Sequence, residues 1–510
     1  MPPRLAAILL AASLGVAEPT PSALWGEAGE LWDPAGRLPD FSHAGYRSGE
    51  SPIPDVAVVA RVTDFGAVPD DEGDDTAAFQ RAVAETDSGA LLIPAGRYIL
   101  TDRVSIRRSG VVLRGEGPGR TVLVFPKGLE HIDPKPTTNS GGRPLSGYSW
   151  SDGFLGIRGS ARDQVLSEIA APARRGDRRL KVAHPRAVSA GMDVTIELRD
   201  DDDKTLLAYL YGGDPGDTSA IRPATTRALQ VVRILHLEGD VAVLDRPLRY
   251  DIRPQWRPHL RAFVVSVSDS GIESLTVEFP ARAYQGHFTE AGYNAVAFAN
   301  VRDCWVRNIE IVNADCGIIS SAWFCTFANV TFRATDDAVP FRGDFGHHGI
   351  LVSRTDNLVT GFDFRHRFIH DLTVTSTSAA NVFSNGRGVD LCFDHHKRAP
   401  HANLFTALDA GAATRLWRSG GGANLGRHCA AWETFWGIRT PGPVARQSGW
   451  STDLVNFVGL ALKDPPATTT DGLWIEAIPA HHLVPANLHE AQLARRLARI
   501  GASEATPENN

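Results

Sequence analysis

Short apolar runs broken by single Gly, Pro, Asn and Asp positions fill most of the 510-residue chain. "VTDFGAVPDDEGDDTAAFQRAVAE", from Val62, predicts a strand, an acidic turn and a helix. Asp74, Asp75 and Thr76 offer N-caps, and Ala78, Phe79, Ala82 and Val83 make an apolar stripe at helical spacing. "GALLIPAGRYIL" and "GVVLRGEGPGRTVLVF" follow as short strands cut by Gly and Pro. In the middle of the chain, "NIEIVNA" at Asn308 and "NVTFRAT" at Asn329 lie 21 residues apart. "NVFSN" at Asn381 and "NLFTA" at Asn403 lie 22 apart. This period predicts stacked β coils, none of which can bury its apolar face alone. An Asn at a recurrent bend tolerates the left-handed conformation and can bond its counterpart one rung away. Cys304 and Cys325 share the 21-residue spacing, which predicts stacked, buried thiols rather than a bridge.

The series "DFGA", "DDT", "IPAGRY" and "LRGEG" within residues 62–126 resembles the N-terminal signature of the pectate-lyase superfamily. The resemblance implies a right-handed parallel β-helix whose early helix caps the open end. The expected fold is therefore an all-β, right-handed parallel β-helix with an N-terminal capping helix and a small inserted β module. Seven segments are expected: a signal peptide at 1–17, an extended arm at 18–55, capped N-terminal coils at 56–160, the inserted module at 161–252, the main coils at 253–460, a C-terminal segment ending in a short helix at 461–500, and a disordered tail at 501–510. The module is read from hairpin-like strands with Gly-Asp turns. Its "DDDDK", Asp200 to Lys204, reads as a solvated acidic loop, because liganding Asp in a calcium loop alternate with other residues. In the tail helix, Leu488, Leu493, Leu497 and Ile500 fall on one side.

The N-terminus has Arg4, an apolar stretch from Leu5 to Val16 and small residues near Ala17, the layout of an export signal. A secreted or periplasmic protein is expected, with no membrane span. The net charge of −7, with no basic run, argues against a nucleic-acid partner. A monomer is expected. The five Cys show no zinc-type spacing.

The densest polar segment is "VDLCFDHHKRAPHANLF", Val389 to Phe405. Strict alternation sends Val389, Leu391 and Phe393 inward, and Asp390, Cys392, Asp394 and His396 outward. His395 then points inward, and Lys397 begins the next turn. Of 17 His in the chain, seven fall between His347 and His401. Coils stack ~4.8 Å apart, so residues about one coil apart can meet in one groove. His348, His370 and Arg342 on one side, and Arg415, Trp417 and Arg418 on the other, are candidates to line it with the Asp394–His396 row.

An outer groove suits an extended polymer. Hydrolysis needs two carboxyl groups ~5–9.5 Å apart. Asp390 and Asp394, four residues apart on one strand, would stand ~13 Å apart. β-Elimination from a uronic acid instead needs a cation at the carboxylate, a base and an acid. The assigned roles are His396 as base, Lys397 or His370 as acid, Asp394 as orienter, and Arg415 and Arg418 as carboxylate binders, with Trp417 stacking on sugar. Asp390, Asp394 and His396 could alternatively hold Ca²⁺ or a transition ion. No HxH or HExxH occurs, and adjacent "HH" pairs should send their rings to opposite faces of a strand. No cofactor is certain, and Ca²⁺ is the one candidate. The region from Gly349 to Ile438, with its "DHH–basic–xPxxNLFT" series, is also similar to bacterial β-helix proteins grouped with polysaccharide degradation. The expected function is cleavage of an acidic polysaccharide by elimination. The alternatives are a glycoside hydrolase on the same scaffold and a non-catalytic carbohydrate-binding protein.

Overall fold

The computed structural model describes residues 18–139, 142–469 and 472–504. The expected export signal at 1–17 and residues 505–510 lie outside them, while the first four residues of the expected tail continue the helix Leu488–Glu504. Successive coils stack into long parallel sheets, giving a right-handed parallel β-helix. One sheet has seven strands, among them Asn294–Arg302, Cys316–Trp323, His348–Val352, His370–Val374 and Phe393–His395. A second, of sixteen strands, wraps around the other sides. The helix Thr76–Glu85 buries Ala78, Phe79, Ala82 and Val83, with Phe79 set edge-on to Tyr98 at 5.4 Å.

Two kinds of recurrent Asn hold the coils in register. Asn308 and Asn329 sit at the corner of bent strands, both at φ 54°. Gly361 takes the same corner one coil on at φ 67°, where a Cβ would come within 2.3 Å of Asn329 Oδ1. Asn357, Asn381 and Asn403 instead form a buried ladder. Asn357 Nδ2 donates to Asn381 Oδ1 (2.9 Å), Asn381 Nδ2 to Asn403 Oδ1 (3.0 Å), and Asn403 Nδ2 to Glu433 Oε1 (2.7 Å). Sequence spacing merges these columns, since Asn308 and Asn329 belong to the first and Asn381 and Asn403 to the second. Cys304 and Cys325 precede the ladder in register, and all five thiols are free and buried. Inside, Phe383, Phe405, Phe435 and Phe457 stack coil upon coil at 4.7–5.3 Å.

The inserted module is a six-stranded antiparallel sheet with its own core. It runs on through His259–Ala262 and Val264–Val265, past the boundary read at residue 252. "DDDDK" is not a solvated loop at its start. Asp200 is buried, and its Oδ1 accepts the backbone N–H of Leu206 (2.8 Å), at the head of the helix Thr205–Tyr211. The module docks on the coils: Tyr211 Oη accepts from Ala399 N (3.0 Å), and Arg249 pairs with Asp356 (2.7 Å). The arm buries Trp25, Leu38 and Phe41 against Leu404, Trp436 and Leu488. The C-terminal helix, Leu488–Glu504, clamps the arm through Gln492, which bonds Phe41 N and Pro39 O (2.8 and 2.9 Å). Leu488 is buried, but Leu497 and Ile500 are exposed, because the arm covers only the first turns. No helix among the described residues is long and apolar enough to cross a membrane.

The module dock makes stability pH-dependent. His401 is fully buried; its Nδ1–H donates to Ala399 O (2.8 Å) and its Nε2 accepts from Tyr250 Oη (2.8 Å). Burial pushes its pKa down to about 4. His489, buried under the arm, is likewise pushed down to about 4. The unfolded chain takes up these protons near pH 6.5 and the folded chain only near 4. Stability is therefore full above pH 6.5 and falls across that window, by roughly 3 kcal/mol per His. Urea midpoints at pH 7 and pH 4.5 should show the fall, and His401→Gln should lessen it.

Candidate active site

The seven-stranded sheet presents a cluster of imidazoles on its outer face. His348 and His370 are register partners at the starts of their strands. Their rings stack at 5.0 Å. His347 lies 4.1 Å from His348 and His287 lies 4.4 Å from His347, centroid to centroid. His396 meets His370 edge-on at 5.5 Å. His347 and His348 thus share a face, against expectation. His347 precedes the strand, and Gly349 takes the next inward position, where a Cβ would press on Phe364.

Asp394 sits beneath the cluster with no exposure. Its Oδ2 lies 3.0 Å from His396 Nδ1, 3.1 Å from Thr373 Oγ1 and 3.4 Å from His370 Nδ1. Its Oδ1 accepts from Gly420 N (2.8 Å). Burial pushes the carboxyl up, but His396 and these donors outweigh it and hold it below the ordinary range. Burial pushes His396 down, but the Asp394 carboxylate outweighs it and leaves the imidazole raised. His348 Nδ1 bonds Thr373 Oγ1 (3.1 Å), extending the network. His396 keeps about a third of its side chain exposed, at 32%.

A glycine-rich loop, "RSGGGAN" from Arg418, covers one side. A Cβ on Gly420 would stand 2.3 Å from His396 Cε1, so only Gly lets the loop approach. Lys397, left-handed at φ 60°, donates from Nζ to Ala423 O (3.2 Å) at the rim. Arg418 pairs with the buried Asp344 (2.9 Å) and remains 41% exposed. Beside it opens a cavity of about 540 Å³ lined by Thr414, Arg418, Pro443 and Lys463. A larger cavity of about 630 Å³ lies between arm, module and terminal helix. Its arginines are mostly engaged with Asp193, Asp245, Asp269 and Glu50.

Several predicted site residues are placed otherwise. Alternation holds only in the short strand Phe393–His395, because a corner falls at Val389–Leu391. Val389 is therefore 50% exposed, while Cys392 is buried. Asp390 leaves the outer row and accepts from Thr414 N (2.8 Å) and Thr414 Oγ1 (2.7 Å), so it cannot join Asp394 and His396 around an ion. His395 is fully buried inside the coil against Trp450 (4.9 Å), with Nε2 3.5 Å from Glu433, and has no access to a substrate. Arg415 is buried in an ion pair with Asp371 and bonds Phe368 O (2.8 Å), so it does not bind a substrate carboxylate. Trp417 is 7% exposed and packs on Trp450 (4.8 Å) and Phe435 (5.1 Å), which leaves no face for a sugar. Arg342 stands on an exposed turn with its guanidinium over Phe341 (5.2 Å).

Sequence reading missed His287, Glu290 and Gly420. Glu290 is buried beside His347, its Oε1 3.6 Å from Nδ1, and accepts from Tyr284 Oη (2.5 Å). Burial pushes its carboxyl up. "GHFTE", just ahead of the strand Asn294–Arg302, was the available signal for His287 and Glu290.

The chain folds as a right-handed parallel β-helix. Residues 59–156 match the family described as rhamnogalacturonase A/epimerase, pectate lyase-like. No curated protein matches the chain. Among solved structures it is similar to the tailspike protein gp49 from Pseudomonas phage LKA1, at 14% identity over 78% of this chain and 67% of that one, with a TM-score of 0.45. The polygalacturonase from Erwinia carotovora ssp. carotovora matches at 8% identity over 84% and 96%, with a TM-score of 0.34. The mannuronan C-5 epimerase AlgE4 A-module of Azotobacter vinelandii matches at 11% identity over 82% and 100%, with a TM-score of 0.31.

Proposed function

We propose that this protein is an exported, monomeric enzyme that cleaves a uronic-acid-containing polysaccharide by β-elimination. The observation that carries the reading is the His396–Asp394 pair. A half-buried imidazole on the outer face is held at 3.0 Å by a fully buried carboxylate. The family matched at residues 59–156 is described as pectate lyase-like, which supports a polysaccharide substrate.

In this reading Asp394 orients His396, whose free Nε2 takes the proton from the carbon next to the uronate carboxylate. The electron pair left behind forms the new C=C bond. The β-carbon–oxygen bond breaks, and Lys397 at the rim protonates the leaving oxygen. Arg418, still partly exposed while paired to Asp344, faces the uronate carboxylate. Hydrolysis fits less well. Asp344, Asp371, Asp390 and Asp394 are all buried and engaged, so none of these four is free to serve as acid or base.

The test is a panel of uronate polymers, read in parallel by ultraviolet absorbance of the unsaturated uronyl product and by new reducing ends. Both should rise together. Reducing ends without absorbance would mean hydrolysis, and no shortening of any uronate polymer would overturn the proposal.

A further inference from the structure

We infer that His287, His347 and His370 form a binding site for one divalent transition ion of the zinc class. Each offers a ligand nitrogen, and these atoms lie within 4.8 Å of one another. A second triplet, His370, Asp394 and His396, shares His370 and has the same spread. The first is favoured by its free nitrogens. His347 Nε2 and both nitrogens of His370 are buried with no hydrogen-bond partner. Leaving such groups unsatisfied is costly, so a fold that keeps several together needs a reason. In the second triplet, His396 Nδ1 and Asp394 Oδ2 are already spent on each other.

The surroundings match what a metal demands of its outer shell. A ligating His ordinarily hands its second N–H to a carbonyl or carboxylate, which aims the free lone pair at the ion. His347 does so: its Nδ1–H donates to Ser149 O at 2.6 Å, leaving Nε2 bare. His370 makes no such bond: Asp394 Oδ2 stands 3.4 Å from its Nδ1, and both ring nitrogens are without a hydrogen-bond partner. Three imidazoles with a further position open suit Zn²⁺ and its neighbours. Ca²⁺ would need six to eight oxygen ligands, and this set offers none.

The experiment uses the full chain stripped with chelator and dialysed, with no polysaccharide present. Co²⁺ is titrated by its visible absorption, and Zn²⁺ by calorimetry and by the rise in melting temperature. One ion per chain is expected, with no comparable response to Ca²⁺. His287→Ala and His370→Ala should each weaken Zn²⁺ binding at least about a hundredfold, since outer-shell changes alone cost 10–100-fold. His287 is the most accessible of the three, so its variant tests the site even if His370→Ala misfolds. No Zn²⁺ binding by the wild type, or binding unchanged in a folded His287→Ala, would overturn the inference. Because no substrate enters, tight binding with no polymer cleavage would leave this site standing and overturn only the proposed reaction.

Discussion

Replacing His396 with Ala should lower kcat on a uronate polymer by about 10²–10⁴-fold, the range over which a positioned acid or base acts. The melting temperature should fall only modestly, since buried Asp394 loses this partner but keeps others, and the rate is read on the folded fraction. His396 is about a third exposed, and its one strong side-chain bond is to Asp394, which keeps Thr373 and Gly420 as partners. His395, one residue away, should behave in the opposite way. It fills the coil interior between Phe405 and Trp450, so His395→Ala opens a cavity and lowers stability, with activity following only the folded fraction. Initial rates and thermal melts on the two variants separate the roles. A folded His396→Ala enzyme with full activity would remove His396 from the chemistry.

This pair also shows what the sequence made legible and where it stopped. Alternation across Phe393–His395 correctly sends His395 inside and Asp394 outside, because a strand has strict period two. It fails four residues earlier, because a β-helix coil turns corners. At a corner the parity resets, so Val389 emerges, while Cys392 is buried under Arg415. No residue type marks that corner the way Asn marks those at Asn308 and Asn329. The superhelical period was readable for a related reason. Each coil reuses the same interior position, so Asn and Cys recur at a set spacing and stack on their own kind. The composition of the groove was harder to read. His287 comes from a loop coils away from His347, and Gly420 matters through the absence of a side chain against His396. Neither carries a local pattern. Arg415 and Trp417 were misplaced because a polar or aromatic residue near a groove looks the same in sequence whether it faces substrate or fills a corner.

Arg415 gives that distinction a measurable form. Arg415→Ala should destabilise the fold by about 3–5 kcal/mol, the cost of leaving a buried charge without its partner. The stranded group is Asp371, which is 1% exposed and sits near the start of the strand His370–Val374. Its carboxylate accepts Phe368 N (2.9 Å) and Cys392 N (2.8 Å), tying two coils together. Arg415 closes the same junction from the other side, donating to Phe368 O (2.8 Å) and Asp390 O (2.9 Å). Arg415→Lys should recover only part of the loss, because an ammonium cannot span these acceptors as the planar guanidinium does. Urea unfolding measures the change directly. A residue that held the substrate's carboxylate would instead raise KM and leave the midpoint alone. The same measurement on Arg418→Ala, whose side chain is 41% exposed, should give that second pattern, a raised KM with little loss of stability. The two arginines, three residues apart, would then divide between scaffold and groove according to their burial.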